Sequence, residues 1–141
     1  MDKLSVPAVL NSLEEIRRYV SKAAVRAGIG EAQAYQLQLA VDEIATNIIS
    51  YGYGEIAASA DISINGEIGP DSLVITLEDH GVAFDPRNME MPSAEDLSKP
   101  LEERPIGGLG IFLALQGVDR FDYRREGDLN LNIFETKIRH D

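Results

Sequence analysis

Cysteine is absent from this 141-residue chain, which excludes disulfides, thiolate metal sites and a cysteine nucleophile. No apolar run reaches the ~18 residues that a membrane-spanning helix needs. Met1-Asp2-Lys3-Leu4 lacks the charged and apolar regions that open a signal peptide. Positive charge is scarce: 13 Lys and Arg stand against 24 Asp and Glu, for a net charge of −11. Such a chain repels phosphate backbones and anionic lipid, which argues against nucleic acid and membrane as partners. Acidity alone says little about which protein partner it meets; a basic protein surface and simple solubility both fit. Repeats and low-complexity tracts are also missing. These absences predict a soluble, cytoplasmic chain forming one domain over residues 1–141. A hydrophobic fraction of 44% is enough for one ordinary core.

What is present falls into helical and strand periods. Leu13, Ile16, Val20, Ala23 and Ala27 recur at spacings of three and four, predicting a helix from Ser12 to about Ala27. Ser12 and Glu15 form a capping-box pattern at its start, and Gly28 and Gly30 end it. A second helix is predicted from about Glu31 to Ser50, with Leu37, Val41, Ile44 and Ile48 as its stripe. Tyr51-Gly52-Tyr53-Gly54 stops it, the tyrosines reading as cover for a helix end. The period then becomes two: Asp61–Asn65 and Leu73–Glu78 read as an antiparallel hairpin, with Asn65-Gly66 and Gly69-Pro70 marking the turn region. From His80 to Ile106, prolines and scattered charges break the pattern, as in a functional lid or a disordered segment. An apolar helix, expected to be well buried, runs from Gly108 to about Val118. Strands Arg120–Arg125 and Leu129–Ile138 close the chain around a turn at Glu126-Gly127-Asp128. The order predicts an α+β fold with helices on one face of a largely antiparallel sheet.

Three segments carry candidate chemistry. In Val41-Asp42-Glu43-Ile44-Ala45-Thr46-Asn47, Glu43 and Asn47 stand one helical turn apart on one face, at the rim of the apolar stripe. A carboxylate there can serve as general base, and an Asn carbonyl oxygen is a hard ligand suited to Mg²⁺. An ordinary solvated helix face has the same pattern. In Glu78-Asp79-His80-Gly81, Asp79 closes a strand, where a fixed carboxylate can accept a hydrogen bond from an exocyclic amine. Gly81 lets a ligand approach the backbone, although Asp-x-Gly turns also end strands for structural reasons alone. In Gly107-Gly108-Leu109-Gly110, glycines open a helix whose free amides and dipole suit a phosphate. A flexible, tightly packed joint uses glycines too. No Gly-Lys-Ser/Thr follows, so this is not a Walker A loop. His80 is read as a turn or pocket-edge imidazole, and no separate helical region carries an acceptor histidine.

The order Glu-x-x-x-Asn, Asp-x-Gly, lid, Gly-Gly-Leu-Gly resembles the N, G1 and G2 boxes of the GHKL (Bergerat-fold, histidine-kinase-like) ATPases. Ala40-Val41-Asp42-Glu43-Ile44-Ala45-Thr46-Asn47-Ile48-Ile49, Phe84-Asp85-Pro86 and Gly108-Leu109-Gly110-Ile111-Phe112-Leu113 resemble the anti-sigma-factor serine/threonine kinases within that superfamily. The resemblance spans about Ser12 to Lys137. It implies a Bergerat sandwich, helices over a mixed, mostly antiparallel sheet, with an ATP lid over about 83–106. It implies ATP and Mg²⁺ as cofactors. Asn47 would ligate the metal, Glu43 would be the catalytic base, and Asp79 would hold the adenine amine with Gly81 beside the ring. Gly108, Leu109 and Gly110 would cradle the phosphates, with Gly107 as the lid hinge. The family's basic residue before the glycines is displaced here, since Pro105-Ile106 separates Arg104 from Gly107; Arg104 or Lys99 takes that role.

The same resemblance implies a kinase that phosphorylates a STAS-type anti-anti-sigma protein and sequesters a sigma factor or equivalent target, as a homodimer. The displaced Arg104 favours an alternative: an ATP-gated binding module of a partner-switching cascade with negligible transfer.

Overall fold

The computed structural model describes residues 1–51, 60–88 and 108–139. Strand β1 (Leu4–Pro7) leads through a 3₁₀ turn (Leu10–Ser12) into helices α1 (Leu13–Ala27) and α2 (Glu31–Tyr51). The hairpin β2 (Asp61–Ile68) and β3 (Ser72–Asp79) follows, then a second 3₁₀ turn (Pro86–Asn88). Helix α3 (Gly108–Gln116) precedes a second hairpin, β4 (Arg120–Glu126) and β5 (Leu129–Lys137). The strands form one sheet in the order β1-β2-β3-β5-β4. All its neighbours are antiparallel, so no parallel pair enters the sheet described. The α+β class, helices on one sheet face, is as the periodicities predict.

Alternation sorts the strands into two faces. Ile62, Ile64, Leu73, Ile75, Leu77 and Phe134 are fully buried on the inner face. Ile16 and Val20 of α1, Leu37, Val41 and Ile44 of α2, and Ile111 and Ala114 of α3 complete the same core. Each such aliphatic side chain contributes roughly 1.5–3 kcal/mol by leaving water, which is why the two periods interlock in this arrangement. A bidentate Arg17–Asp42 pair, at 2.8 and 3.2 Å, ties α1 to α2 on their solvent side.

Four local expectations are corrected. The capping box does not form: Ser12 is already helical (φ −76°, ψ −13°), is buried, and makes no side-chain cap bond. The chain enters α1 from a 3₁₀ turn, so the helix start needs no extended cap residue. The other end behaves as expected, with Gly28 left-handed at φ 78°. Asn65-Gly66 is not a turn; it lies inside β2, opposite Thr76 and Ile75, and the reversal falls at Gly69–Asp71. Strand β1 was not predicted: it is a four-residue edge strand carrying Pro7, too short for its Leu4/Val6 alternation to stand out. Helix α3 is not buried all round, because Phe112 and Leu113 are exposed.

Gly66 is a strand residue because Tyr19 needs its space. A Cβ there would stand 3.4 Å from the Tyr19 ring and 3.3 Å from Ile75. The Tyr19 hydroxyl accepts the buried Gly66 N–H at 2.8 Å and donates to the Asp2 carbonyl at 2.8 Å. Tyr19→Phe leaves that amide without a partner. It should lower stability by about 1–3 kcal/mol in urea unfolding, with the slope unchanged.

Candidate functional site

The candidate residues fall into two groups. The first lies where α2 meets α3. Asp42 turns toward α1 and Arg17, while Glu43, about 100° further round the helix, stands against α3. A Cβ on Gly110 would lie 2.5 Å from Glu43 Oε1 and 3.1 Å from its Cδ, so only glycine leaves this carboxylate its present place. Gly117 admits Gln36 in the same manner, so the two helices run antiparallel in close contact. Glu43 and Asn47 are both half-buried. The Asn47 amide donates to the Glu43 carbonyl at 2.7 Å. Its carbonyl oxygen is the side-chain atom left for a cation.

The second group sits at the C-terminal end of β3. Asp79 is 2% exposed. Its Oδ1 accepts the Gly81 amide at 2.8 Å and the Asn130 side-chain amide at 3.0 Å. Its Oδ2 is buried and meets no hydrogen-bond donor among the described residues. A buried acceptor left open in this way costs on the order of 1–3 kcal/mol, which a ligand N–H can offset. Asn130 also donates to the carbonyls of Gly81 and Val82, at 3.2 and 3.1 Å. Among the described residues no hydrogen bond joins this group to the first.

Gly108 and Gly110 lie in the first turn of α3, Gly108 being its first residue, and Leu109 stands between them. Gly107, Arg104 and Lys99 lie outside the described residues. So does residue 89–106 of the expected lid; its start at 83–88 is described. There Asp85 closes a turn by accepting the Arg87 amide at 2.9 Å and pairs with its guanidinium at 2.8 Å. Arg87 continues to Asp122 of β4 at 3.3 Å and stands 6.0 Å over the Phe121 ring. His80 is exposed and 3.4 Å from Asp128. The outer-face groove beside it is internally paired, with Lys3 on Glu78 at 2.5 Å and Ser5 on Ser63 at 2.7 Å. No group of three or more His, Asp or Glu among the described residues could hold a metal alone. No described helix is long and apolar enough to cross a membrane.

Asn130, and Arg125 and Tyr123 that bind it, were not singled out from the sequence. The available signal was parity: Asn130 and Asn132 take inward positions in a strand whose Leu129, Leu131 and Ile133 face outward.

Known proteins share this chain's sequence pattern and its fold. The histidine kinase-like ATPase domain family matches residues 6–133. The "Serine-protein kinase RsbW" of Bacillus cereus (strain AH187) is 31% identical over 136 residues, 96% of this chain and 82% of that protein. The protein of the same name from Bacillus thuringiensis subsp. konkukian (strain 97-27) matches to the same extent. Among solved structures, the RsbU and RsbW domains of Rv1364c from Mycobacterium tuberculosis superpose with a TM-score of 0.60 at 12% identity. That match covers 96% of this chain and 32% of the other. The histidine kinase domain of the Erythrobacter litoralis EL346 blue-light activated kinase gives 0.51 at 18% identity, covering 93% of this chain and 61% of that one. The two structures share the fold; this chain spans less than two thirds of either. The chain belongs to the histidine kinase-like ATPases and, within them, to the serine-protein kinases of the RsbW kind.

Two outcomes follow from the local geometry. Gly110→Ala meets only the far end of a flexible side chain, so the unfolding midpoint should hardly change. The displaced Glu43 carboxylate should lower phosphoryl transfer by about tenfold or more, read from radiolabel incorporation. Burial works to raise the Asp85 pKa, but the hydrogen bonds and charge of Arg87 outweigh it and hold the carboxyl below its ordinary value. That pair therefore stabilises the fold above the unfolded carboxylate pKa of about 4, and the contribution is lost as pH falls through the lower folded value. Arg87→Met should be less stable than wild type at pH 7 by under about 1 kcal/mol. Thermal unfolding across pH should show the gap closing in acid.

Proposed function

We propose that the chain binds Mg-ATP between Asp79 and the amino end of α3 and transfers its terminal phosphoryl group to a serine or threonine of a STAS-type anti-anti-sigma protein. The observation that carries the reading is the Asp79 carboxylate: one oxygen held by two donors, the other buried and open. Such an acceptor suits the exocyclic amine of adenine, and the buried Gly81 beside it leaves room for a flat ring. Gly108, Leu109 and Gly110 open α3, and its first amides would face the phosphates. Asn47 offers one hard oxygen, and since no described cluster could hold a metal alone, the nucleotide phosphates would supply most other ligands. Mg²⁺ bound there neutralises charge on the phosphates.

Glu43 would accept or orient the proton of the incoming hydroxyl, held in position by its contact with Gly110. Arg104, with Lys99 as its substitute, would reach the terminal phosphate, and residues 83–106 would act as the lid that couples nucleotide to partner. A sigma factor or equivalent target would be the second, stoichiometric partner of a cytoplasmic homodimer. The names of the RsbW relatives support the kinase class. The displaced Arg104 supports a second reading, in which ATP gates partner binding and transfer is negligible.

Calorimetric titration of Mg-ATP should show saturable binding by wild type and at least about a hundredfold weaker binding by Asp79→Asn, whose amide meets the adenine amine with a donor or a misplaced oxygen. A STAS-type partner should then be labelled by wild type, and by Glu43→Gln about a hundredfold more slowly. Binding without labelling would select the gated module. Absence of nucleotide binding by the folded protein would refute both readings.

A further inference from the structure

Asn130 is 3% exposed and lies directly opposite Asp79 in the β3–β5 pairing and opposite Arg125 in the β4–β5 pairing. Its side-chain amide spends two hydrogens on three acceptors: Asp79 Oδ1 at 3.0 Å, the Gly81 carbonyl at 3.2 Å and the Val82 carbonyl at 3.1 Å. Its carbonyl oxygen accepts from the Arg125 guanidinium at 2.9 Å and from the Tyr123 hydroxyl. Every neighbour on the NH₂ side is an acceptor and every neighbour on the oxygen side is a donor, so the amide has one orientation. Arg125 also holds the Gly81 carbonyl at 2.9 Å and the Gly127 carbonyl at 3.0 Å, which fixes the guanidinium itself.

We infer that Asn130, oriented by Arg125 and Tyr123, is a positioning residue that holds Asp79 with one oxygen satisfied and the other without a donor among the described residues, and so favours purines that present an N–H donor at the 6-position. The inference rests on the nucleotide reading above and adds its specificity. With Oδ1 occupied, Asp79 cannot turn to give Oδ2 a protein donor. A 6-amino purine brings a hydrogen to Oδ2; a 6-oxo purine brings a second acceptor and leaves two oxygens facing each other in a buried place. The clamp also joins Asp79 to the Gly81 and Val82 carbonyls, so the carboxylate and the turn that borders the base move as one unit.

The test measures ATP and its 6-oxo counterpart ITP by calorimetry, with Mg²⁺, on wild type, Asn130→Ala and the double variant Tyr123→Phe/Arg125→Met. Wild type should prefer ATP on the order of a hundredfold. Asn130→Ala should bind ATP about tenfold more weakly while ITP changes little, so the preference shrinks. The double variant leaves the core residue in place; it frees its amide and also releases the Arg125 bonds to the Gly81 and Gly127 carbonyls. It should shift the preference the same way by less, and it serves if Asn130→Ala does not fold. Equal losses for both nucleotides would mean that Asn130 only supports the fold, and an unchanged preference in the double variant would remove the orienting role; either overturns the inference while leaving ATP binding intact. Wild type that binds neither nucleotide overturns the reading beneath it as well.

Discussion

The antiparallel pairing of β3 with β5 is the constraint on which the site depends. Its ladder runs from Ser72 opposite Lys137 to Asp79 opposite Asn130. At one end the inner face is plain core, with Ile75 opposite Phe134 and Phe134 edge-on to Phe121 at 5.1 Å. At the other end the same face carries Asp79 and Asn130, with Arg125 opposite Asn130 on β4. A slip of one residue would turn Asp79 outward and set a leucine against it, because strand side chains alternate faces. The buried aliphatic end therefore sets the register that the polar end needs. Asp79 is tolerable in the interior because one of its oxygens meets two donors, the Gly81 amide of the local turn and the Asn130 amide that the register supplies.

Much of this was legible in the sequence. Helix periods placed α1 and α2 within a residue or two, since Leu13-Ile16-Val20 and Leu37-Val41-Ile44 are long, regular stripes. Glu43 and Gly110 could be named as members of one site, but not as touching, because contact between α2 and α3 depends on tertiary packing that no local pattern encodes. Gly66 misled for a related reason. Asn-Gly is a strong hairpin signal, yet this glycine answers to a tyrosine 47 positions earlier in the chain. Asn130 was hidden because a strand reading rewards apolar residues wherever they fall. In β5 the rule runs backwards: Asn130, Asn132 and Thr136 are buried while Leu129, Leu131 and Ile133 are only half-covered. Polar residues on the inward parity of a strand were the available clue to a site.

The two candidate groups make different demands on the fold. Asp79 is locked by hydrogen bonds and has little freedom to adjust. Glu43 is placed by shape: the missing side chain at Gly110 gives it room against α3, while Asp42 is engaged by Arg17 of α1. A base-recognition residue profits from the first arrangement, since discrimination needs an acceptor that cannot rearrange. A proton-handling carboxylate profits from the second. Its position then depends on where α3 lies, and α3 is the helix whose glycine-rich start would meet the phosphates.

Charge sets the last condition. A chain of net charge −11 that takes up a nucleoside triphosphate gains nothing from its overall field. Screening limits that repulsion to about 8–10 Å at ordinary ionic strength, so the local environment of the phosphates decides the outcome. The two candidate residues on α2 do not offset that charge: Glu43 is a carboxylate, and Asn47 is neutral. Of the candidate site residues described, the helix amides at Gly108–Gly110 are the ones that favour an anion, by roughly half a unit of positive charge. In the proposed site a divalent cation and a basic side chain from before Gly107 would then be more than accessories. On the proposed reading they would offset the charge of the triphosphate, so affinity for ATP should rest on Mg²⁺ more than in a site lined with arginines.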